Sequence, residues 1–236
     1  MIYDEHMKLR ATSQKLSRLG VTTLLCGMAI FAWLPCASAD IEQPGQPGAA
    51  KTQVGDRTYF FILDPWTTET VVTSYMQPDQ SLWDATQIKD YEAALKEDYP
   101  PPLGLLTIDS LNIQVPIFNG TDEHILDRGA GRIKGMAKTG EDGNLGISAH
   151  RDSFFRGLKD IELGEVIDVQ TVHGLDRYEV TDINIVPKDD VSVLEPVDRK
   201  TLTLVTCYPF YHVGAAPKRF IVTALPVAEA GELRSE

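Results

Sequence analysis

The sequence predicts an all-β fold, either a closed barrel or a sandwich, for the chain after residue 103. Short runs rich in Val, Ile, Thr and aromatic residues recur there, separated by turn-forming sequences such as Asn119-Gly120. A parallel sheet of βαβ units would need long helices between these runs, so that class is excluded. The predicted strands are Leu105–Ile108, Ile113–Phe118, Leu145–Ser148, Val166–Val172, Arg177–Val186, Thr201–Thr206 and Phe220–Leu225.

One helix is predicted ahead of the strands, from Asp84 to about Asp98. The three prolines at positions 100–102 must end it, because proline lacks the N–H and restricts the residue before it. A second segment, residues 121–127, is expected to form one or two helical turns. The residues that form the apolar stripe of the first helix are Leu82, Ile88, Tyr91 and Leu95.

The N-terminal 39 residues have the pattern of an export signal. Four basic residues precede the uncharged run Leu19–Leu34, and charge returns only at Asp40. The stretch Ala37-Ser38-Ala39 fits a cleavage site, whereas the uncharged run counted to Ala39 is long enough to cross a bilayer. We therefore expect residues 1–39 to be a cytoplasmic leader followed by an apolar helix, which is either a signal peptide or a retained membrane anchor. The rest of the chain is expected outside the cytoplasm.

Residues 40–81 are expected to form a linker and a segment without an assigned structure. Residues 40–57 are rich in Gly, Pro and Gln and contain almost no apolar residues, which is typical of a flexible linker. Only the short run Tyr59–Leu63 resembles a strand. Residues 82–236 then form the main folded domain, with the predicted helix at its start.

The charge and composition exclude several classes of function. The 236 residues contain 22 basic and 34 acidic side chains, a net charge of −12. Binding of nucleic acid or anionic lipid would need clustered positive charge, so neither partner is expected. A chain that is 43% hydrophobic and 24% charged is globular rather than disordered or a multi-span membrane protein. No Cys or His pair has ligand spacing, so we expect no metal and no other cofactor.

Cys207 is the candidate nucleophile. It is the only cysteine after the N-terminal apolar segment, so it cannot form a disulfide within the exported part of the chain. The alternating Leu and Thr residues of Thr201–Thr206 predict a strand with one buried face, which places Cys207 at an end that a substrate can reach. A thiol attacks as the thiolate and needs a proton acceptor or a cation nearby. The alternative is a buried cysteine that acts as a small hydrophobic residue.

His150 is the preferred acid or base, and Arg219 is the candidate cation. His150 follows the predicted strand Leu145–Ser148, whereas His212 lies in a loop five residues after Cys207 and is the second choice. Arg219 opens the last predicted strand, which is expected to return beside the strand of Cys207 as a hairpin. Its planar guanidinium suits an oxyanion, although a surface arginine at a strand start is the common alternative.

Two other histidines are expected to have local roles. His124 lies in the Thr-Asp-Glu-His start of a short helix, and His173 lies in a polar hairpin turn, where it is expected to be solvated.

These residues resemble the signature of the sortase family. The match consists of Thr203-Leu204-Val205-Thr206-Cys207, with His150 upstream and Arg219 twelve residues downstream, and the resemblance runs from about Leu82 to Val227. The stretches GNLGISAHRDSFFRGL at 143–158 and CYPFY at 207–211 are most similar to class D sortases and to the related proteins of proteobacteria.

The resemblance implies an eight-stranded β-barrel, an N-terminal anchor and an active site outside the membrane. Cys207 would attack the Thr carbonyl of an LPxTG-like sorting signal and form a thioacyl-enzyme. His150 would protonate the leaving amine and then activate the incoming amine, while Arg219 would steady the substrate and the oxyanion. Thr206 would make a secondary contact at the scissile residue. Asp152 could orient His150, although a loop-capping role is favoured for it.

The partners implied by the resemblance are proteins with a C-terminal LPxTG-like signal and an amine acceptor in the cell envelope. Water could replace the amine, giving slow peptide hydrolysis. Two alternatives belong to other classes. An L,D-transpeptidase usually carries histidine two residues before its cysteine, where this chain has Val205. A non-catalytic barrel that binds an envelope peptide would keep Cys207 as a structural thiol.

Overall fold

An eight-stranded closed β-barrel and a small antiparallel sheet make up most of the described chain. A computed structural model describes residues 52–54, 57–211 and 214–227. The predicted leader and apolar helix at 1–39, and His212, lie outside the described residues. Within those described ranges, no helix is long and apolar enough to span a bilayer.

The barrel confirms the predicted fold class. Its strands follow the order β10-β11-β9-β8-β4-β5-β6-β7 and close where β7 meets β10. The β5–β6 and β7–β10 pairs are parallel, and the other pairs are antiparallel. The strands are β4 Gly104–Ile108, β5 Ile113–Asn119, β6 Ala130–Arg132, β7 Asn144–Ser148, β8 Val166–Thr171, β9 Gly174–Pro187, β10 Thr201–Tyr208 and β11 Lys218–Pro226.

Aliphatic side chains fill the barrel interior and hold the strands rigidly. Leu106, Val115, Ile147, Ile167 and Leu204 are among the residues buried there. Each such side chain contributes about 1.5–3 kcal/mol when it leaves water. The prediction that only one face of β10 is buried is wrong, because Thr201 and Thr203 are buried as well as Leu202 and Leu204. Cys207 lies at the less buried end of the strand.

Two helices lie beside the barrel. The first is α1 (Ala85–Ala94) and the second is α2 (Glu123–Leu126). Asp84 caps α1 in a capping box, because its carboxylate accepts from the N–H of Gln87 while the Gln87 side chain accepts from the N–H of Asp84. The helix ends at Ala94, before the predicted Asp98. Its last turn tightens, because the N–H of Glu97 donates to the Ala94 carbonyl three residues earlier, and the guanidinium of Arg128 donates to the same carbonyl.

The N-terminal part of the described chain forms a three-stranded sheet, of which the sequence predicts one strand, the run Tyr59–Leu63. Its strands are β1 (Thr52–Val54), β2 (Arg57–Leu63) and β3 (Thr70–Met76), so the end of the expected linker and most of the unassigned segment are strands. Phe60, Ile62 and Tyr75 of this sheet pack on Leu105 of the barrel.

Asp64 and His173 connect this sheet to the turn between β8 and β9. The His173 Nε2 lies 2.9 Å from Asp64 Oδ2, so His173 is paired rather than simply solvated. Asp64 is buried and also accepts from the backbone N–H groups of Trp66 and Thr67. Burial acts to raise the pKa of Asp64, but these hydrogen bonds outweigh it and hold that pKa below its ordinary value.

Replacing Asp64 by asparagine is expected to lower the free energy of unfolding by about 1–3 kcal/mol at neutral pH. A carboxyl group with a depressed pKa stabilises the fold above its unfolded-state pKa, and this contribution is lost as the pH falls through the folded-state pKa. The difference between the wild type and Asp64→Asn should therefore shrink as the pH falls through the range in which this carboxylate takes up a proton, which lies below that of an ordinary aspartate. Urea unfolding at neutral pH and across the acid range measures it, and a difference that persists in acid would contradict a charge-dependent cause.

Candidate active site

Cys207 and Arg219 face each other on neighbouring strands. Cys207 is the penultimate residue of β10, and Arg219 is the second residue of β11. The antiparallel register pairs the two residues directly, which confirms the predicted hairpin. Side chains that are directly opposite in such a pair have Cβ atoms about 4.5–5.5 Å apart. The guanidinium of Arg219 therefore lies within reach of a group bound at the thiol.

The parallel pairing of β7 and β10 brings His150 to the same end of the barrel. Ser148 pairs with Val205, and the N–H of Ala149 then donates to the Val205 carbonyl at 3.4 Å. The hydroxyl of Thr206 donates to the Ala149 carbonyl at 2.8 Å. His150 is the next residue, so the chain presents it beside the end of β10 where Cys207 follows Thr206.

The three candidate side chains are partly exposed, as a site for a large substrate requires. Cys207 is half-buried and is not in a disulfide. The imidazole of His150 is 38% exposed. A cysteine that served only as a small hydrophobic residue would be enclosed by the core, so the position of Cys207 favours a reactive thiol.

Arg219 is held close to the start of its strand. Its Nη1 donates to the carbonyl of Ala216 at 3.2 Å and to the carbonyl of Lys218 at 2.9 Å. These two bonds fix one side of the guanidinium against the chain that leads into β11. The arrangement resembles a preorganised cation more than a mobile surface arginine.

The segment after Cys207 is bound to the segment after His150. The Arg151 guanidinium donates to the Gly214 carbonyl at 3.1 Å, and the Arg156 guanidinium lies 5.0 Å from the ring centroid of Tyr211. Within the segment after Cys207, the peptide bond before Pro209 is cis. The contacts join the two chain segments that leave β7 and β10, so the surroundings of His150 and Cys207 depend on one another.

A cleft of about 160 Å³ opens beside His150. It lies between α1, α2 and the residues that follow β7, and carboxylates form much of its wall. Its lining residues are Trp83, Gln87, Asp90, Glu123, Asp127, His150, Asp152 and Ser153. In the ranges that the structure describes, no group of three His, Cys, Asp or Glu residues is placed to hold a metal ion.

Asp127 is a site residue that the sequence did not reveal. It follows α2, and its Oδ1 lies 3.7 Å from the Nε2 of His150. Burial raises the pKa of Asp127, His150 acts in the opposite direction, and the pKa remains above its ordinary value. Asp152, the carboxylate near His150 in the sequence, lines the same cleft. The 22 residues between Asp127 and His150 conceal their proximity, because it arises only when β6 and β7 pair.

The burial of Thr206 is inconsistent with the expected contact between its side chain and the scissile residue of a substrate. The residue is 1% exposed and its hydroxyl is bound to the Ala149 carbonyl, so its side chain faces the barrel interior and not a substrate. It ties β10 to the residue before His150. Thr206 therefore affects the site through the backbone.

Replacing Thr206 by valine is expected to lower the free energy of unfolding by about 1–3 kcal/mol, because a buried carbonyl loses its donor. It should also lower kcat, since only the 3.4 Å hydrogen bond from the Ala149 N–H to the Val205 carbonyl then ties Ala149 to β10. Thr203→Val is the matched control: the Thr203 hydroxyl donates to Asn144 Oδ1 at 2.7 Å, toward the other end of the same strand pair. Equal effects of the two variants on kcat would contradict the connection to His150.

Comparisons with known proteins agree with this geometry. Residues 106–227 match the family model of the Sortase domain. Sortase D of Bacillus subtilis is 36% identical over 132 residues, which cover 56% of this chain and 67% of that protein. Sortase A of Listeria monocytogenes is 25% identical over 120 residues, 49% of this chain and 54% of that protein. The chain thus spans between half and two thirds of the length of these curated relatives.

Solved structures give the same result. A Clostridium perfringens Sortase D5 transpeptidase superposes with a TM-score of 0.50 at 25% identity, over 60% of this chain and 88% of that one. Sortase C1 of GBS Pilus Island 1 also superposes with a TM-score of 0.50 at 25% identity, over 53% of this chain and 64% of that one.

Proposed function

Because this chain belongs to the sortase family, whose members are cysteine transpeptidases, we propose that Cys207, His150 and Arg219 form its active site. The similarity to Sortase D confirms the predicted likeness to class D. The proposal depends on one observation: β7 and β10 end at the same rim of the barrel, and β11 begins there. The antiparallel β10–β11 pair sets Arg219 opposite Cys207, and the parallel β7–β10 pair delivers His150 to the same end.

The proposed reaction cleaves the peptide bond after the Thr of a sorting signal and joins the Thr carbonyl to the amine of an acceptor. The Cys207 thiolate attacks the Thr carbonyl of an LPxTG-like signal, and the Arg219 guanidinium stabilises the negative charge that develops on the oxygen. The C–N bond breaks as the His150 imidazolium gives its proton to the leaving amine. The product is a thioacyl-enzyme and a neutral imidazole.

The second half of the reaction reverses these roles. An incoming amine attacks the thioester, His150 takes the proton from that amine, and the C–S bond breaks to release the Cys207 thiolate. The new amide joins the sorted protein to its acceptor. Water in place of the amine would give slow hydrolysis.

The proposed location is the cell envelope. It rests on the basic residues and the uncharged run at 1–39, which are typical of an export signal or an anchor. The proposed partners are exported proteins that carry an LPxTG-like signal near their C-terminus, and an envelope component with a primary amine. Family membership does not support the L,D-transpeptidase alternative, so the non-catalytic barrel is the one that an experiment must separate.

Intact mass spectrometry of the full chain with a panel of LPxTG-like peptides tests this proposal. The expected result is a mass increase equal to the peptide up to its Thr minus one water, located on Cys207 by proteolytic mapping. Triglycine added afterwards should remove the adduct and yield the peptide joined to triglycine. A sample alkylated with iodoacetamide beforehand is the control. No adduct from any peptide, while Cys207 still alkylates and the peptide still binds, would favour the non-catalytic barrel.

A further inference from the structure

Asp127 is the carboxylate next to the proposed acid and base, and the reaction above assigns it no role. Its Oδ1 lies 3.7 Å from His150 Nε2, and its side chain is only 25% exposed. Its backbone N–H donates to the carbonyl of Glu123 at 2.9 Å, so the last turn of α2 holds it in place. The separation is slightly longer than a hydrogen bond, and contacts of this kind commonly tighten in a substrate complex.

We propose that Asp127 is the positioning residue of His150. Its carboxylate accepts from the Nε2–H of the imidazole, which directs Nδ1 toward the reacting amine. This inference rests on the proposed function, because it assumes that His150 transfers protons there.

The arrangement suits both halves of the reaction. The imidazolium carries a proton on each nitrogen and gives the Nδ1 proton to the leaving amine, so the tautomer that remains has its proton on Nε2. That tautomer has its lone pair on Nδ1, where it can take a proton from the incoming amine. An acceptor fixed beside Nε2 favours this tautomer and holds the plane of the ring.

Other charged groups face Asp127 from each element around it. Asp90 lies on α1, Glu123 and His124 lie on α2, and Asp152 follows His150. Burial and the charges of Asp90 and Glu123 raise the pKa of Asp127, while His150 and His124 lower it. Because the net direction is upward, Asp127 takes up a proton at a higher pH than an ordinary aspartate. Its effect on His150 should therefore fade in mild acid.

Kinetics of the full chain with Asp127→Asn, Asp127→Glu and Glu92→Gln test the inference. Asp127→Asn should lower kcat roughly tenfold and leave KM for the peptide unchanged, which is the lower end of the cost of removing the outer partner of a metal-bound histidine. Asp127→Glu should recover most of the rate. Glu92→Gln, an exposed residue of α1 that does not line the cleft, should behave as the wild type. The ratio of the wild-type rate to the Asp127→Asn rate should fall toward one as Asp127 becomes protonated.

A purely structural role would give a different result. It would lower the thermal unfolding midpoint of Asp127→Asn, and the ratio of rates would not change with pH. An unchanged kcat in Asp127→Asn would also overturn the inference.

NMR of the substrate-free protein separates this inference from the proposed function. Long-range proton–nitrogen spectra report which ring nitrogen of His150 carries the proton. At alkaline pH, with the ring neutral, the wild type should show the Nε2–H tautomer and Asp127→Asn should show a mixture. The same tautomer in both proteins would overturn the positioning role even if the enzyme forms a thioacyl adduct. If the spectra show the expected tautomers but no peptide forms a thioacyl adduct, the proposed transpeptidation is contradicted. The hydrogen bond between Asp127 and His150 is then still supported.

Discussion

Replacing His150 by alanine is expected to lower kcat for transpeptidation by about 10²–10⁴-fold, the usual contribution of a positioned acid and base. The leaving amine would depart without its proton, and the incoming amine would have to lose its proton to water. KM for the sorting peptide should change little, because the lost interaction belongs to the chemical step. The appearance of the transfer product, followed by mass spectrometry, measures this change.

The control for this variant is His124→Ala. His124 is also a histidine near the cleft, but its side chain is 71% exposed and its Nδ1 lies 3.6 Å from Glu97 Oε2. The rate of His124→Ala should remain within about twofold of the wild type, as for an exposed surface side chain. A His150→Ala enzyme that keeps most of its rate would contradict the assignment of His150.

Replacing Arg219 by alanine is expected to lower kcat/KM by about 10²–10³-fold, as the loss of one oxyanion donor does in other acyl-transfer sites. Arg219→Lys should restore only a small part of this loss. Lysine supplies a point charge on a flexible stem, whereas the guanidinium presents a planar set of donors. Progress curves at low peptide concentration give kcat/KM directly for each variant.

Lys218→Ala is the matched control for Arg219. Lys218 precedes Arg219 on β11, is exposed, and pairs in register with Tyr208 instead of Cys207. Its loss removes a positive charge from the same strand end, so general electrostatic effects on the peptide would appear in both variants. Full activity in Arg219→Lys would mean that charge alone is sufficient, which contradicts the oxyanion role.

The sequence predicts the barrel strands well where the apolar pattern is strong. It does not predict β6, which has only three residues and contains Gly131. A Cβ atom at Gly131 would collide with the carbonyl oxygen of Gly120, so the close approach of the two backbones requires a residue with no strand preference of its own. Of the β1–β3 sheet, the sequence predicts only the strand at Tyr59–Leu63, because Pro65 and the Thr-rich residues near it conceal a hairpin that depends on packing against Leu105.

The candidate site was predictable to a similar extent. A strand end is visible in the sequence, so Cys207, His150 and Arg219 could be chosen from their positions along the chain. Thr206 and Asp127 could not be assigned this way. The role of Thr206 depends on which face of β10 turns inward. The role of Asp127 depends on the path of the chain from α2 through β6 to β7, which brings it to His150.

Because β7 and β10 pair in parallel, the two rims of the barrel differ in how well they should tolerate an insertion or a fused module. Both strands end at the rim that carries the proposed chemistry, while the turn with His173, which holds the β1–β3 sheet through Asp64, lies at the opposite rim. An insertion or a fused module at that opposite rim leaves the spacing of thiol, imidazole and guanidinium intact. The barrel can therefore gain accessory parts on one side while its reaction is preserved on the other.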